Sequence, residues 1–477
     1  MRSLLKQRAD VNSAQADGAT ALAWAAYRDD LEITDLLIDA GAKVNAANDY
    51  GITPLHLACT NASTAMVDRL LKAAANPNAA DWSGGTALME CARTGNLDAV
   101  NSLLAHGADV NAKETQQGHT ALMWAVVKKH PDVVRALIER KADVNASSKG
   151  GFTPLHFAAQ QDDMESARIL IEAGANVNAA TPNGDTPLLV ASISGREALS
   201  IFLLDKGADP NAADRNGTTA LHYALLKGLA VIVGLSNRTN VAPYLNRPDM
   251  VELVKALLAH GANANARLFS PVEPGNGPGY GKILRIENIG GTMSPVGATP
   301  LMLAAASYDA GAMRILAAGG TDARLATEHD EETGGNVTAL MVAAGLARAR
   351  NRPPLAPEDE KKALEAVKLA VEMGADVNAA NDLGLTALHA AAFGGSNQIV
   401  QFLAEKGANL DAKDQSGQSP LEKASNIRPN GVVSVNLVPR LYHKTTADLL
   451  VKLGATPVNT PVAESSEAAK APAANEQ

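Results

Sequence analysis

The sequence predicts an all-α solenoid, a stack of short helix pairs, and three observations carry that prediction. The first is a pentapeptide, Gly-x-Thr-Pro/Ala-Leu. It returns at residues 18–22, 51–55, 84–88, 118–122, 151–155, 184–188, 217–221, 297–301 and 384–388, with Ser for Thr at 417–421 and one extra residue at 335–340. The second is a partner signature later in each unit, Gly-Ala-Asp/Asn-x-Asn, as at 107–111, 174–178, 207–211 and 374–378. The third is composition: 46% of the 477 residues are apolar but only 3% aromatic, so Ala and Leu do the packing, as thin stacked helices require. A fixed period of this length marks a repeat in which each unit contacts only its neighbours.

Residues 81–109 show how one unit is built. Asp81-Trp82-Ser83-Gly84 makes a turn, with Gly84 free to take positive φ. Thr86 suits a helix N-cap, and where Pro follows Thr, as in Thr53-Pro54, it stands at the first helical position, where no donor is needed. Leu88, Cys91 and Ala92 follow at helical spacing. Gly95-Asn96 breaks the chain, a second helix carries Val100, Leu103 and Leu104 on one face, and Gly107 ends it in the left-handed cap position.

The period sets the organisation. Residues 1–16 read as a half repeat and 17–227 as regular repeats. Residues 228–457 read as repeats interrupted by insertions at 228–247, 267–296, 327–334, 347–358 and 426–443, and 458–477 as a disordered tail poor in aromatics. Residues 282–286 within the second, Gly/Pro-rich insertion read as a short strand. Met1-Arg2-Ser3-Leu4-Leu5 aligns with Val100-Asn101-Ser102-Leu103-Leu104, so Met1 stands inside a second helix. That alignment predicts that the natural protein begins upstream, with any export signal in the missing part; the sequence therefore does not choose between a cytoplasmic and an exported, periplasmic location.

These residues resemble the ankyrin-repeat family. Thr53-Pro54-Leu55-His56-Leu57-Ala58 and Thr153-Pro154-Leu155-His156-Phe157-Ala158 match its motif at every fixed place. The resemblance covers residues 1–457, some eleven repeats and a half, and the insertion-rich second half is similar to large bacterial ankyrin proteins. It implies a β-turn and two antiparallel helices per repeat in a curved stack. It also implies a concave binding surface made of turn tips and first helices, and a histidine that ties turn to helix at His56, His156, His222 and His389.

Little else in the chain offers chemistry. No Cys-x-x-Cys or His-x-x-x-His is present, residues 275–279 lack the Gly-Lys-Ser/Thr of a phosphate loop, and the sequence suggests no cofactor, metal or catalytic constellation. Lys+Arg 42 against Asp+Glu 51, a formal charge of -9, argues against nucleic acid. No apolar run approaches the length of a membrane span. Cys59 and Cys91 read as buried thiols, because packed helices lie roughly 8–10 Å apart while a disulfide needs Cα atoms within about 7 Å. Asp and Asn recurring in every unit must solve a backbone problem in every unit. Trp24, Trp124, Phe157 and Tyr223 share one column and read as core filling.

The function expected is a non-catalytic scaffold that binds a protein partner on its concave face. The contact residues expected, from the variable columns, are Tyr27, Arg28, Tyr50, Ile52, Trp82, Arg93, His119, Lys128, Phe152, Gln160, Gln161 and Arg215. Two alternatives stand beside it: a structural or envelope protein without a single partner, and an enzyme whose site lies in the insertions, drawing on Glu273, Arg285, Glu287 and His443.

Overall fold

The computed structural model describes residues 1–7, 9–232, 248–269, 295–329, 335–347, 354–425 and 443–457. The short strand expected at 282–286, the tail at 458–477, Glu273, Arg285 and Glu287 lie outside them. Among the described residues the secondary structure is helical, with only isolated bridges such as Ala14 to Thr20 and Ala80 to Thr86 flanking the turns. The chain divides into two compact units, Met1–Leu226 with Ala242–Arg285, and Lys227–Val241 with Ile286–Gln477.

In the first unit the helix pairs are Ala21–Tyr27 with Leu31–Asp39, Pro54–Thr60 with Thr64–Lys72, Ala87–Thr94 with Leu97–Ala105, and Ala121–Val127 with Pro131–Glu139. Pro154–Gln161 with Met164–Glu172, Pro187–Ile193 with Glu197–Asp205, and Ala220–Ala224 with Val251–Ala259 complete the set. In the second unit they are Pro300–Ala306 with Ala310–Ala318, Ala339–Ala343 with Pro357–Glu372, Ala387–Phe393 with Asn397–Glu405, and Pro420–Ser425 with Lys444–Leu453. Helices this short are marginal alone. They persist because leucines such as Leu22, Leu55, Leu88, Leu122 and Leu155 are at most 1% exposed between neighbours.

Two segments read as insertion are helical. Leu226–Ile232 forms a further helix whose Gly228 lies against the backbone of Leu303; a Cβ there would stand 1.8 Å from the Leu303 carbonyl oxygen. Pro357 and Glu358 open the long helix Pro357–Glu372, where Glu358, Asp359 and Glu360 suit the positive end of the helix dipole.

The repeated polar residues are backbone devices. Thr20, Thr86, Thr120 and Thr186 cap first helices by accepting the N–H of Ala23, Met89, Met123 and Leu189. From Asn12 to Asn211, the Asn that closes the Gly-Ala-Asp/Asn-x-Asn signature reaches into the next repeat. Asn78 Nδ2 donates to the Gly107 carbonyl at 2.9 Å and its Oδ1 accepts the Asp109 N–H at 2.7 Å. The same pair of bonds joins Asn12 to Gly41 and Lys43, Asn145 to Gly174 and Asn176, and Asn178 to Gly207 and Asp209. Asn211 makes it to Gly261 and Asn263, fifty residues on, so the intervening segment leaves the ladder intact.

The cysteines correct the sequence reading. Cys59 and Cys91 are both 0% exposed and form a disulfide, with Cα atoms 4.7 Å apart. The spacing of helix axes is not the spacing of their Cα atoms. Cα atoms stand about 2.3 Å off a helix axis, so axes 8–10 Å apart bring facing Cα atoms to roughly 4–5 Å. Cys59 and Cys91 sit in neighbouring columns, 32 residues apart, and so face each other across the interface of two first helices.

The turn glycines differ in what surrounds them. Gly51 has φ +74°, and a Cβ there would lie 2.8 Å from the Asp81 Cα. Gly107 has φ +89° with nothing within 4 Å of the Cβ direction. Gly107→Ala is therefore expected to cost about 1 kcal/mol of backbone strain, and Gly51→Ala about 2–3 kcal/mol, because strain and a backbone collision add. Thermal unfolding of the two variants checks this; equal losses would show that turn-to-turn contact contributes nothing.

Candidate functional site

The turn tips and first helices of the first unit carry most of the exposed aromatic surface among the described residues: Trp24 40%, Tyr27 54%, Tyr50 61% and Trp82 67% exposed. Neighbouring tips are tied to one another except between the fifth and sixth, where Pro182 has no N–H to donate. The Asp49 N–H donates to the Asp17 carbonyl, Trp82 to Tyr50, Thr115 to Ser83, Lys149 to Gln117 and Arg215 to Asn183, all at 2.6–2.9 Å. Each tip is held from inside by a side chain that accepts its own backbone N–H groups. Asn48 Oδ1 takes those of Tyr50 and Ile52, and Asp81 Oδ1 those of Ser83 and Gly85.

The tip before Gly118 is one residue longer, and Glu114 stands where the others have Asp or Asn. Its extra methylene lets the carboxylate reach the N–H groups of Gln116, Gln117 and His119 at 2.6, 2.8 and 2.9 Å. Burial works to raise the Glu114 pKa, but these three donors prevail and hold it below the usual carboxylate range. The sequence signal for this turn is Glu in place of Asp beside a one-residue insertion.

The histidine column performs the tie that the resemblance implies. His56 Nδ1 accepts the Thr53 N–H, and its Nε2 lies 3.1 Å from the Gly85 carbonyl. His156 makes the same pair with Thr153 and Asp185, and His389 with Thr386 and Gln418. An acceptor at Nδ1 and a carbonyl at Nε2 fix one neutral tautomer, with the proton on Nε2. Burial lowers all three pKa values, that of His156 to about 4.

The twelve expected contact residues fall into five settings. Tyr27, Arg28, Tyr50, Trp82, Lys128 and Arg215 are exposed; Tyr27 meets Trp24 edge-on at 5.8 Å, and Arg215 donates to the Asn183 side chain. Ile52, Gln160 and Gln161 are half-buried. Arg93 is half-buried and its guanidinium donates twice to Glu90 Oε2, at 2.6 and 3.0 Å, so its charge is already matched. His119 is wedged between Trp124 and Phe157 with ring centroids 5.4 and 5.3 Å away, and burial lowers its pKa. Phe152 corrects the expectation: it is 2% exposed, packed against His156 and Phe157, and presents nothing to a partner.

Trp24 corrects the core-filling reading of its column. Phe157 and Tyr223 are each 5% exposed, whereas Trp24 is open. What covers Trp124 and Phe157 is a ring two residues after the turn tip, His119 or Phe152; the first repeat has only Ala19 there. Among the described residues no cluster of three or more His, Cys, Asp or Glu is placed to hold a metal, and no helix is long and apolar enough to cross a membrane. His443 is half-buried, its ring against Gly395, where a Cβ would meet it at 2.4 Å.

Comparison with known proteins agrees with the geometry. The model of the family described as ankyrin repeats (3 copies) matches residues 1–81, 45–114, 75–148, 155–268 and 358–453, well over half of the chain. The Notch-regulated ankyrin repeat-containing protein A of Danio rerio and the Notch-regulated ankyrin repeat-containing protein of Homo sapiens are each 56% identical over 43 residues. That stretch is 9% of this chain and 38% of theirs, so the chain spans little more than a third of those relatives. The crystal structure of the ankyrin repeat domain of Bcl-3, a member of the IkappaB protein family, is 30% identical with a TM-score of 0.40, covering 43% of this chain and 94% of that one. The two curated relatives are vertebrate, and the bacterial affinity read from the second half gains no support from them. Ankyrin repeats are in general protein–protein interaction scaffolds. With its repeated turn, capped helix pair and asparagine ladder, and with the family match along most of its length, this chain belongs to the ankyrin-repeat family.

Proposed function

We propose that the chain is a non-catalytic scaffold that captures a protein partner on the turn tips and first helices of its first unit. The supporting observation is the run of exposed aromatics there, Trp24, Tyr27, Tyr50 and Trp82. Aromatic anchors carry much of the energy of protein interfaces, and they lose little conformational entropy on docking. The tips that carry two of them are already fixed by backbone hydrogen bonds, so little ordering remains for binding to do.

The test is selection from a displayed peptide library on the full chain, followed by rebinding to Tyr27→Ala/Tyr50→Ala/Trp82→Ala. The variant is expected to lose at least 2 kcal/mol of affinity, about thirtyfold, with an unchanged far-UV spectrum. Selected peptides that hold the variant as tightly as the parent chain would remove this surface from consideration.

A further inference from the structure

The turn tips of the first unit are polarised. Along the row, Asp17 and Asp49 come first, Trp82 follows, then the uncharged Thr115–Gln117 tip, then Lys149 and Arg215. All four charged residues are exposed, and none is ion-paired with a described residue. The carboxylates of Asp81, Glu114 and Asp214 accept two or more backbone N–H groups each, whereas the exposed Asp17 carboxylate accepts one, that of Ala19 at 3.0 Å. Lys149 Nζ and the Arg215 guanidinium donate to neutral oxygens, the Thr115 carbonyl and the Asn183 side chain, and Arg215 feels the Asp185 carboxylate without pairing with it. Arg28 caps the far end of its first helix, about 12 Å along the axis from that helix's start.

Resting on the proposed binding role, we propose that the occupant of this row is an extended peptide segment with segregated charge. A cationic stretch lies over Asp17 and Asp49, an apolar centre meets Trp82, and an anionic stretch lies over Lys149 and Arg215. Like charges placed against either end would be repelled, so the row sets the direction of the segment as well as its composition. Repeat spacing gives the length. Six steps separate the first tip from the seventh, about 50–60 Å at 8–10 Å per packed helix, which an extended chain at roughly 3.3 Å per residue spans in about 15–18 residues.

Two labelled seventeen-residue peptides test this on the full chain. One has four lysines, a proline-containing apolar centre with tyrosine, and four glutamates; the other has the same residues with lysine and glutamate alternating. The block peptide is expected to bind about tenfold tighter, and more weakly as salt rises. D17K/D49K and K149E/R215E should each weaken it three- to tenfold, the yield of a few exposed charge pairs, and leave the alternating peptide within twofold. A photocrosslinker at the lysine end should label the tips of residues 17 and 49, and at the glutamate end those of 149 and 215, on the unaltered chain. Equal binding of the two peptides, or crosslinks spread over both ends, overturns the polarity. If library-selected peptides bind through Tyr50 and Trp82 while the block peptide does not, the binding surface stands and the charge rule falls; if neither route yields tip-dependent binding, both fall.

Discussion

Acidification from pH 7 to about 4 is expected to remove on the order of 3 kcal/mol of stability through His156 alone. Its folded pKa is about 4, against an ordinary 6.5, because burial disfavours the charged ring more than the Asp185 carbonyl supports it. A base whose pKa is depressed by folding binds fewer protons folded than unfolded between those two values. Stability is therefore level above pH 6.5 and falls as pH drops through the window, at about 1.4 kcal/mol per pH unit for each such histidine. His56 and His389 are shifted in the same direction by burial and add to the slope. Asp185, raised by burial, works the other way and offsets part of the slope. Urea unfolding at pH 7, 6 and 5 reads the slope, and an NMR titration of the His156 ring reads its cause. A ring that titrates near 6.5, with unfolding midpoints that do not move, would contradict both.

Reduction of Cys59–Cys91 is expected to cost about 3–4 kcal/mol, from the chain entropy returned to the unfolded state by opening a loop of some thirty residues. The loss should be local, since repeat stability is a sum over neighbours. It should lower the midpoint of the transition that includes the second and third repeats by roughly 10 °C, at 2–4 °C per kcal/mol. C59A/C91A places Ala where most repeats already have it, and should melt like the reduced protein. Melting with and without reductant, with the thiol state read by mass, checks this; coincident curves for verified oxidised and reduced protein would show that the bond constrains nothing.

The frame of the fold is legible in the sequence because each repeat meets the same backbone problems and answers them with the same residues: Thr at the cap, Gly at the turn, Asn across the interface. What resists reading depends on pairs. The disulfide follows from facing columns of adjacent repeats, which a comparison of helix axes conceals. Exposure of Tyr50 and Trp82 is legible because both stand at turn tips, where no neighbour can cover a side chain. Phe152 sits one residue past its turn glycine and folds inward onto His156 and Phe157, whereas Trp24, in the first repeat, stays 40% exposed. Neither outcome is a property of one column. Arg93 reads as a free cation until its own helix places Glu90 one turn away.

The asparagine bridges carry a consequence for how such a chain can change over generations. Each joins one repeat to the next through a main-chain carbonyl and a main-chain N–H, groups that every repeat presents whatever its side chains. A gene copy that lost or duplicated one whole period would therefore bring two unfamiliar repeats together with the same two bonds available at the seam. The bridge from Asn211 to Gly261 already spans a longer interval than its neighbours with no change in pattern. Cys59 and Cys91 are different: they form a covalent bond only with each other, so recombination at the boundary between the second and third repeats would leave a free thiol as its trace.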